Sequence, residues 1–297
     1  MPVGLSVLDI DTDIINPLNG TSVTVNGANI GAGNQSYYIG NLDRPAGANR
    51  SIIIGGNAAT NASGTENIAI GHLTGENLTT GPTNTLVGSS AGRFMTTAIA
   101  NTFIGQTAGE SVSTGTGNTF IGGQAGKNTD PYQWLNTFIG FGTAGNIVGG
   151  GSFAGQNTTC IGAAASPSST TVSNEFTLGS NINVLRCAAT TITSTSDARD
   201  KKEIEELPVG LDFVNALKPV KFVWNDRHSE EKRNINDIGF IAQDLKETQD
   251  ESGIADSLKL VYESNPEKLE ASYGRLIPIL VKAIQELSAE VKELKIK

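Results

Sequence analysis

A serine and a lysine five residues apart, Ser196 and Lys201, open the stretch of this chain that is densest in ionisable groups. A serine hydroxyl becomes a nucleophile once a base takes its proton, and a lysine serves as that base where burial lowers its pKa. By itself such a spacing signifies nothing, and other groups compete for attention. Asp9, Asp11 and Asp13 alternate, which puts three carboxylates on one strand face. A calcium loop would want Gly at the sixth place and Glu at the twelfth, where this chain has Ile14 and Gly20. Cys160 and Cys187 are too few for a disulfide framework or a metal site and read as small apolar residues. No metal or other cofactor is expected. His72 reads as a turn or surface residue. Tyr132 and Trp134, within Asp130-Pro131-Tyr132-Gln133-Trp134, read as a loop off a regular repeat, either a receptor contact or a local packing plug.

The elements that must position these groups differ sharply along the chain. Up to Thr195 there are 5 Lys+Arg and 9 Asp+Glu; from Ser196 onward there are 16 and 21, with 31 of the 35 glycines in the first part. So abrupt a shift marks a domain boundary near Ser196. The net charge of −9 argues against a nucleic-acid partner, which would call for a basic stripe. No apolar run is long enough to span a bilayer. The start, MPVGLSVLDIDTDIINPL, does not resemble a signal peptide. Synthesis in the cytoplasm without a standard export signal is therefore expected.

The first two thirds repeat one phrase. It appears as Ile52-Ile53-Ile54-Gly55, Thr85-Leu86-Val87-Gly88, Asn101-Thr102-Phe103-Ile104-Gly105, Asn118-Thr119-Phe120-Ile121-Gly122 and Asn136-Thr137-Phe138-Ile139-Gly140. From Gly40 to Gly179 the closing glycines lie 15, 16, 17, 17, 17, 18, 22 and 17 residues apart. A fixed period of this kind is the mark of stacked repeats. Each unit offers a β-prone run, a glycine, and a small cluster such as Gln106-Thr107-Ala108-Gly109, which predicts two short strands and two tight turns per rung of a β-roll or β-solenoid. The recurring Asn84, Asn101, Asn118 and Asn136 either form a hydrogen-bonded ladder or satisfy their own turns. Residues 1–33 hold no repeat and read as an attachment or cap segment, 34–195 as the fibre, and 196–297 as a separate α+β module.

In that module Leu211, Val214 and Leu217 have helical spacing, and Val220, Phe222 and Trp224 alternate as in a strand. Gly239-Phe240-Ile241-Ala242 reads as a second strand running into a helix. A final helix is expected over about 265–296. Its Ile277, Leu280, Ile284, Leu287, Val291 and Leu294 are spaced 3, 4, 3, 4, 3, as in a coiled-coil seam. An ordinary helix docked on its own domain is the competing reading, since Val281 and Ala283 widen the stripe.

The Asn-Thr-Phe-Ile-Gly phrase resembles the head repeats of trimeric autotransporter adhesins, which form three-chain β-rolls, and similar repeats of phage tail fibres, over about residues 34–179. Residues 196–297 closely resemble the peptidase S74 family, the intramolecular chaperone domain of phage tailspikes and fibres such as endosialidases. The resemblance rests on Ser196-Asp197-x-Arg199-x-Lys201, Gly210-Leu211-Asp212-Phe213-Val214, Leu217-Lys218-Pro219-Val220, Gly239-Phe240-Ile241-Ala242-Gln243, and Leu276-Ile277-Pro278 through Ala283-Ile284-Gln285-Glu286-Leu287. It implies a mainly β trimeric fibre followed by an α+β chaperone that ends in a long helix. The chaperone would assemble three chains and cut the bond between Thr195 and Ser196, with Ser196 as nucleophile and Lys201 as base. Where the family often has a histidine two residues before the glycine of Gly-Phe-Ile-Ala-Gln, this chain has Asp237, and His228 does not align with that place.

Together these readings predict a homotrimeric tail fibre. It would be a virion component joined to the particle through its N-terminus, and it would meet a host cell-surface glycan or protein. A polysaccharide-degrading tailspike is the enzymatic alternative, disfavoured by the few acids and aromatics of the fibre part. A structural spacer without a ligand is the third. A membrane-tethered transcription factor with the same cleavage module would need a basic domain and a transmembrane helix that the sequence lacks.

Overall fold

The computed structural model describes residues 50–145, 152–179, 194–225 and 234–296, together with the backbone of three strands between 23 and 40. Two compact units divide near residue 180. In the first, β1 (Val23–Val25), β2 (Ala28–Gly33) and β3 (Ser36–Gly40) form an antiparallel meander. β3 then pairs in parallel with β4 (Ile52–Ile54), and one parallel strand follows per turn: β5 (Ile68–Ile70), β6 (Thr85–Val87), β7 (Thr102–Ile104), β8 (Thr119–Ile121), β9 (Thr137–Ile139), β10 (Thr159–Ile161) and β11 (Phe176–Leu178). Residues 52–178 thus form a parallel β-solenoid of about seven turns. Asp9, Asp11, Asp13, Cys187, His228 and most of the segment 1–33 lie outside the described residues.

The rung register follows from the middle residue of each strand pointing inward. In-register pairing stacks Leu86, Phe103, Phe120, Phe138 and Cys160 in one buried column. Phe103 and Phe120 stack with ring centroids 4.8 Å apart, and Phe120 and Phe138 at 4.7 Å, the spacing of paired strands. Ala91, Met95, Ala108, Val112 and Phe153 close the core from the opposite wall.

Only one named strand forms per rung. The expected second strand is reduced to single parallel bridges, Ile99 to Thr116 and Thr116 to Trp134, and the cluster after the closing glycine turns instead: Thr107 has φ 53° and Gly109 φ 59°, values no strand accommodates. Gly105 ends its strand at φ 135°, and a Cβ there would lie 2.4 Å from the carbonyl oxygen of Gly122 on the next rung. The asparagines do both jobs offered for them. Asn118 Nδ2 donates to Asn101 Oδ1 at 2.9 Å, and the Asn136 amide donates to Asn118 Oδ1 at 3.0 Å, which makes a buried ladder. Asn101 Nδ2 also donates to the Ile99 carbonyl of its own turn at 3.1 Å.

The second unit is small and mixed. A 3-10 turn (Ala198–Asp200) precedes α1 (Leu211–Ala216); the hairpin β12 (Pro219–Val223) and β13 (Asn236–Phe240) leads into α2 (Ala242–Glu251) and α3 (Ala255–Leu258). A two-residue pair, β14 (Val261–Tyr262) and β15 (Glu270–Ala271), precedes α4 (Leu276–Ile296). The last helix starts at Leu276 after a 3-10 turn, later than the expected 265, because residues 270–271 are spent on strand pairing. Pro278 sits in its first turn, where a missing N–H breaks nothing. Phe213, Leu245, Leu258, Leu260, Leu276 and Ile279 form the core. The charged run Asp197 to Glu206 is exposed apart from the half-buried Asp197, and helix is interrupted there because Lys201 is extended and Glu203 has φ 54°.

Candidate self-cleavage site and chaperone segment

Around the charge boundary, local hydrogen bonding builds a hairpin-like bend. Asp197 is extended and caps the 3-10 turn, its Oδ1 accepting the Arg199 amide at 2.9 Å. Arg199 closes the cap with its guanidinium, Nη2 lying 2.6 Å from Asp197 Oδ2. This partner holds the Asp197 carboxyl below the ordinary carboxylate range, first through the side-chain hydrogen bond and then through the backbone one. The Lys201 amide then donates to the Ala198 carbonyl at 3.2 Å, which turns the lysine side chain back along the segment.

That bend brings Lys201 to Ser196. Lys201 Nζ lies 2.6 Å from Ser196 Oγ and 3.3 Å from the Ser196 carbonyl oxygen. Thr195, Ser196 and Lys201 are all exposed. The lysine donates in this contact, and the neighbouring peptide bond, Thr195–Ser196, is open to solvent.

The rest of the module is tied to its last helix. Glu286 of α4 accepts the Leu211 amide at 2.6 Å and so caps α1. A Cβ on Gly210 would come within 2.2 Å of the same carboxylate, so a side chain there would displace the cap. Lys282, one turn earlier, pairs with Glu206 at 3.7 Å and Glu286 at 3.9 Å. Asp237 accepts the Trp224 indole N–H at 3.1 Å, and Tyr273 OH accepts the Phe240 amide at 3.1 Å. Asp237 thereby braces the end of the β12–β13 pair.

Residues 196–254 match the peptidase S74 family, the chaperone of endosialidase. No curated protein and no solved structure matches the chain. The S74 match begins at Ser196, the residue at which composition changes, and ends before α4. Its first turn carries the Ser196–Lys201 contact, and its core elements run from α1 to α2.

The fibre residues singled out from sequence are placed differently from expectation. Tyr132 and Trp134 are 66% and 50% exposed, but they are not on a loop off the roll. Trp134 bridges Thr116 of the preceding rung, and Pro131 accepts the Ser113 amide at 2.9 Å. Between them Gln133 is buried, its Nε2 donating to the Phe153 carbonyl at 2.6 Å. The longer rung is thus absorbed into the stack by one extra residue that satisfies the core. Sequence reasoning missed Phe141, which is exposed at a corner over Gly123; its aromatic type just after a closing glycine was the available signal. Burial pushes the Cys160 thiol up to about 12, countered in part by a hydrogen bond from Thr177. Among the described residues no cluster of His, Cys, Asp and Glu is arranged to hold a metal ion, and no helix is long and apolar enough to cross a membrane.

Proposed function

We propose that the chain is a trimeric phage tail fibre whose C-terminal module assembles the three copies and then cuts the bond between Thr195 and Ser196. The observation that carries this reading is the S74 match over residues 196–254 beginning at the serine that lies 2.6 Å from Lys201. In the cleavage step Ser196 Oγ attacks the Thr195 carbonyl carbon while its proton passes to Lys201 Nζ. The C–N bond breaks as Lys201 returns that proton to the Ser196 nitrogen, which leaves as an amine, and an ester joins Thr195 to Ser196 Oγ. Water then hydrolyses the ester, giving a free Thr195 carboxylate and a new amino terminus at Ser196. A lysine serves as a base only where water is excluded. Both groups are exposed in the single chain, so the other copies of the trimer would have to cover them.

Assembly by α4 is supported by the seam Ile277, Leu280, Ile284, Leu287, Val291 and Leu294, which is 41–70% exposed while Ile279 is 1% exposed in the module core. The helix docks with one face and keeps the other free. A fibre of parallel rungs needs such a helper, because nearly interchangeable repeats slip in register and pair slowly. The non-enzymatic reading of the fibre is favoured by its carboxylates: Glu66, Glu76 and Glu110 each pair with a cation on the adjacent rung, Arg50, Arg93 and Lys127. Tyr132 and Trp134 are the proposed receptor contact, a pair of exposed aromatics on one corner of the solenoid.

The test is an intact-mass measurement on denatured wild type, Ser196→Ala and Lys201→Ala. Wild type should yield a fragment ending at Thr195, and both variants should remain whole. A wild type that stays whole under assembling conditions would remove the self-cleavage part and leave the chaperone part standing.

A further inference from the structure

We infer that the solenoid corner carrying Trp134 binds a neutral hexopyranoside, laid on the indole and held by side-chain amides of the next rung; this rests on the receptor-contact reading above. Hydrogen bonds between rungs fix what stands beside the indole. The Leu135 amide donates to the Thr116 carbonyl at 3.0 Å, and the Asn157 amide repeats that bond to the Trp134 carbonyl at 3.3 Å. Trp134 therefore lies between Thr116 on one rung and Gln156 on the next, each about 4.8 Å away as in any parallel sheet. Trp134, Gln156 and Asn157 are all exposed. Asn157 Nδ2 donates to Asn174 Oδ1 at 2.8 Å, which ties the amides of two rungs together. Among the described residues this leaves Asn157 Oδ1 and Asn174 Nδ2 open to a ligand.

Three features select a neutral sugar. The indole face is electron-rich, and the C–H bonds of a pyranose, polarised by its oxygens, complement it. A side-chain amide both donates and accepts, as each sugar hydroxyl does, so amides beside the ring can take adjacent hydroxyls and fix the orientation. The third feature is charge. Residues 97–100, 114–117, 131–135, 154–157 and 171–174, which build this corner, include no Asp, Glu, Lys, Arg or His. An anionic sugar would find no cation there for its carboxylate. A peptide strand would find little to pair with, because the Gln133 and Trp134 carbonyls and the Leu135 amide are bonded to neighbouring rungs.

The test is fluorine NMR on the full-length chain with fluorotryptophan at its two tryptophans, Trp134 and Trp224. Trp134→Phe removes and so assigns the Trp134 line. The probes are the methyl glycosides of glucose, galactose, mannose and N-acetylglucosamine, with N-acetylneuraminic acid as the anionic comparison. At least one neutral probe should shift the Trp134 line saturably and leave Trp224 in place. Its affinity should be about millimolar, the scale for roughly a dozen heavy atoms at ordinary ligand efficiency. Gln156→Ala and Asn157→Ala should each weaken that binding roughly five-fold, the effect of one lost hydrogen bond. A Trp134 line that no neutral probe moves, or that N-acetylneuraminic acid moves at lower concentration, would overturn the inference. So would affinities unchanged in both amide variants. Light scattering on the same sample keeps the two readings apart: single chains would count against the trimeric fibre, whereas the titration reports on the corner alone.

Discussion

At Asn118 the side chain serves three neighbours at once: it donates to Asn101 Oδ1 and to the Gln133 carbonyl, and accepts the Asn136 amide. Replacing it with alanine leaves the buried Asn136 amide without that acceptor and opens a void between rungs. Asn118→Ala should cost about 2–4 kcal/mol, combining an orphaned buried donor with a small cavity. Thermal unfolding followed by circular dichroism will show it as a lowered transition, and a transition unchanged from wild type would contradict the ladder's role. Ser196 and Lys201 present the opposite case. Their contact needs no burial to form, since the Asp197–Arg199 cap and one turn of 3-10 helix bring the two side chains together.

Each rung is one element, and its glycines divide by what surrounds them. Gly105 is left-handed and blocked by the carbonyl of Gly122, while Gly142 has φ 63° and nothing within 4 Å of a would-be Cβ. Gly105→Ala should therefore destabilise the solenoid by roughly 3–5 kcal/mol, the sum of overpacking and a left-handed alanine. Gly142→Ala should cost only about 1–2 kcal/mol for the backbone conformation alone. Parallel denaturation curves of the two variants check the contrast; equal losses would mean that rung spacing, not local φ, is the yielding quantity. In the module, the comparable element is α1. Its six residues are too few to hold themselves as a helix in isolation. Its stability comes from Phe213 in the core and from the Glu286 cap.

At the scale of the whole molecule, α4 is two-faced. Leu276, Ile279 and Ala283 are buried against the module, whereas Ile284 and Leu287 stand exposed on the other side. Leu287→Lys should leave the module folded and yield single chains by light scattering, because a lysine in the seam meets its copies. Ile279→Ala should instead destabilise the module by about 2–5 kcal/mol through an internal cavity. If Leu287→Lys assembles as wild type does, the seam is not the contact between chains.

The repeat period and the sheet class were legible in the sequence, because glycine spacing and β-prone runs are properties of the chain itself; the compact units divide at residue 180, ahead of the change in charge density at Ser196. So was the long last helix, whose apolar 3, 4 spacing is written into the chain. Tertiary structure decided the rest. Whether Gln106-Thr107-Ala108-Gly109 extends or turns depends on left-handed backbone values that its composition permits but does not dictate. Whether Trp134 leaves the stack depends on Gln133 finding the Phe153 carbonyl twenty residues away. Ser196 and Lys201 were paired by motif, but their 2.6 Å approach exists only because a capped turn folds the chain back on itself. Sequence carries periodicity and composition; contact between distant residues is a property of the fold.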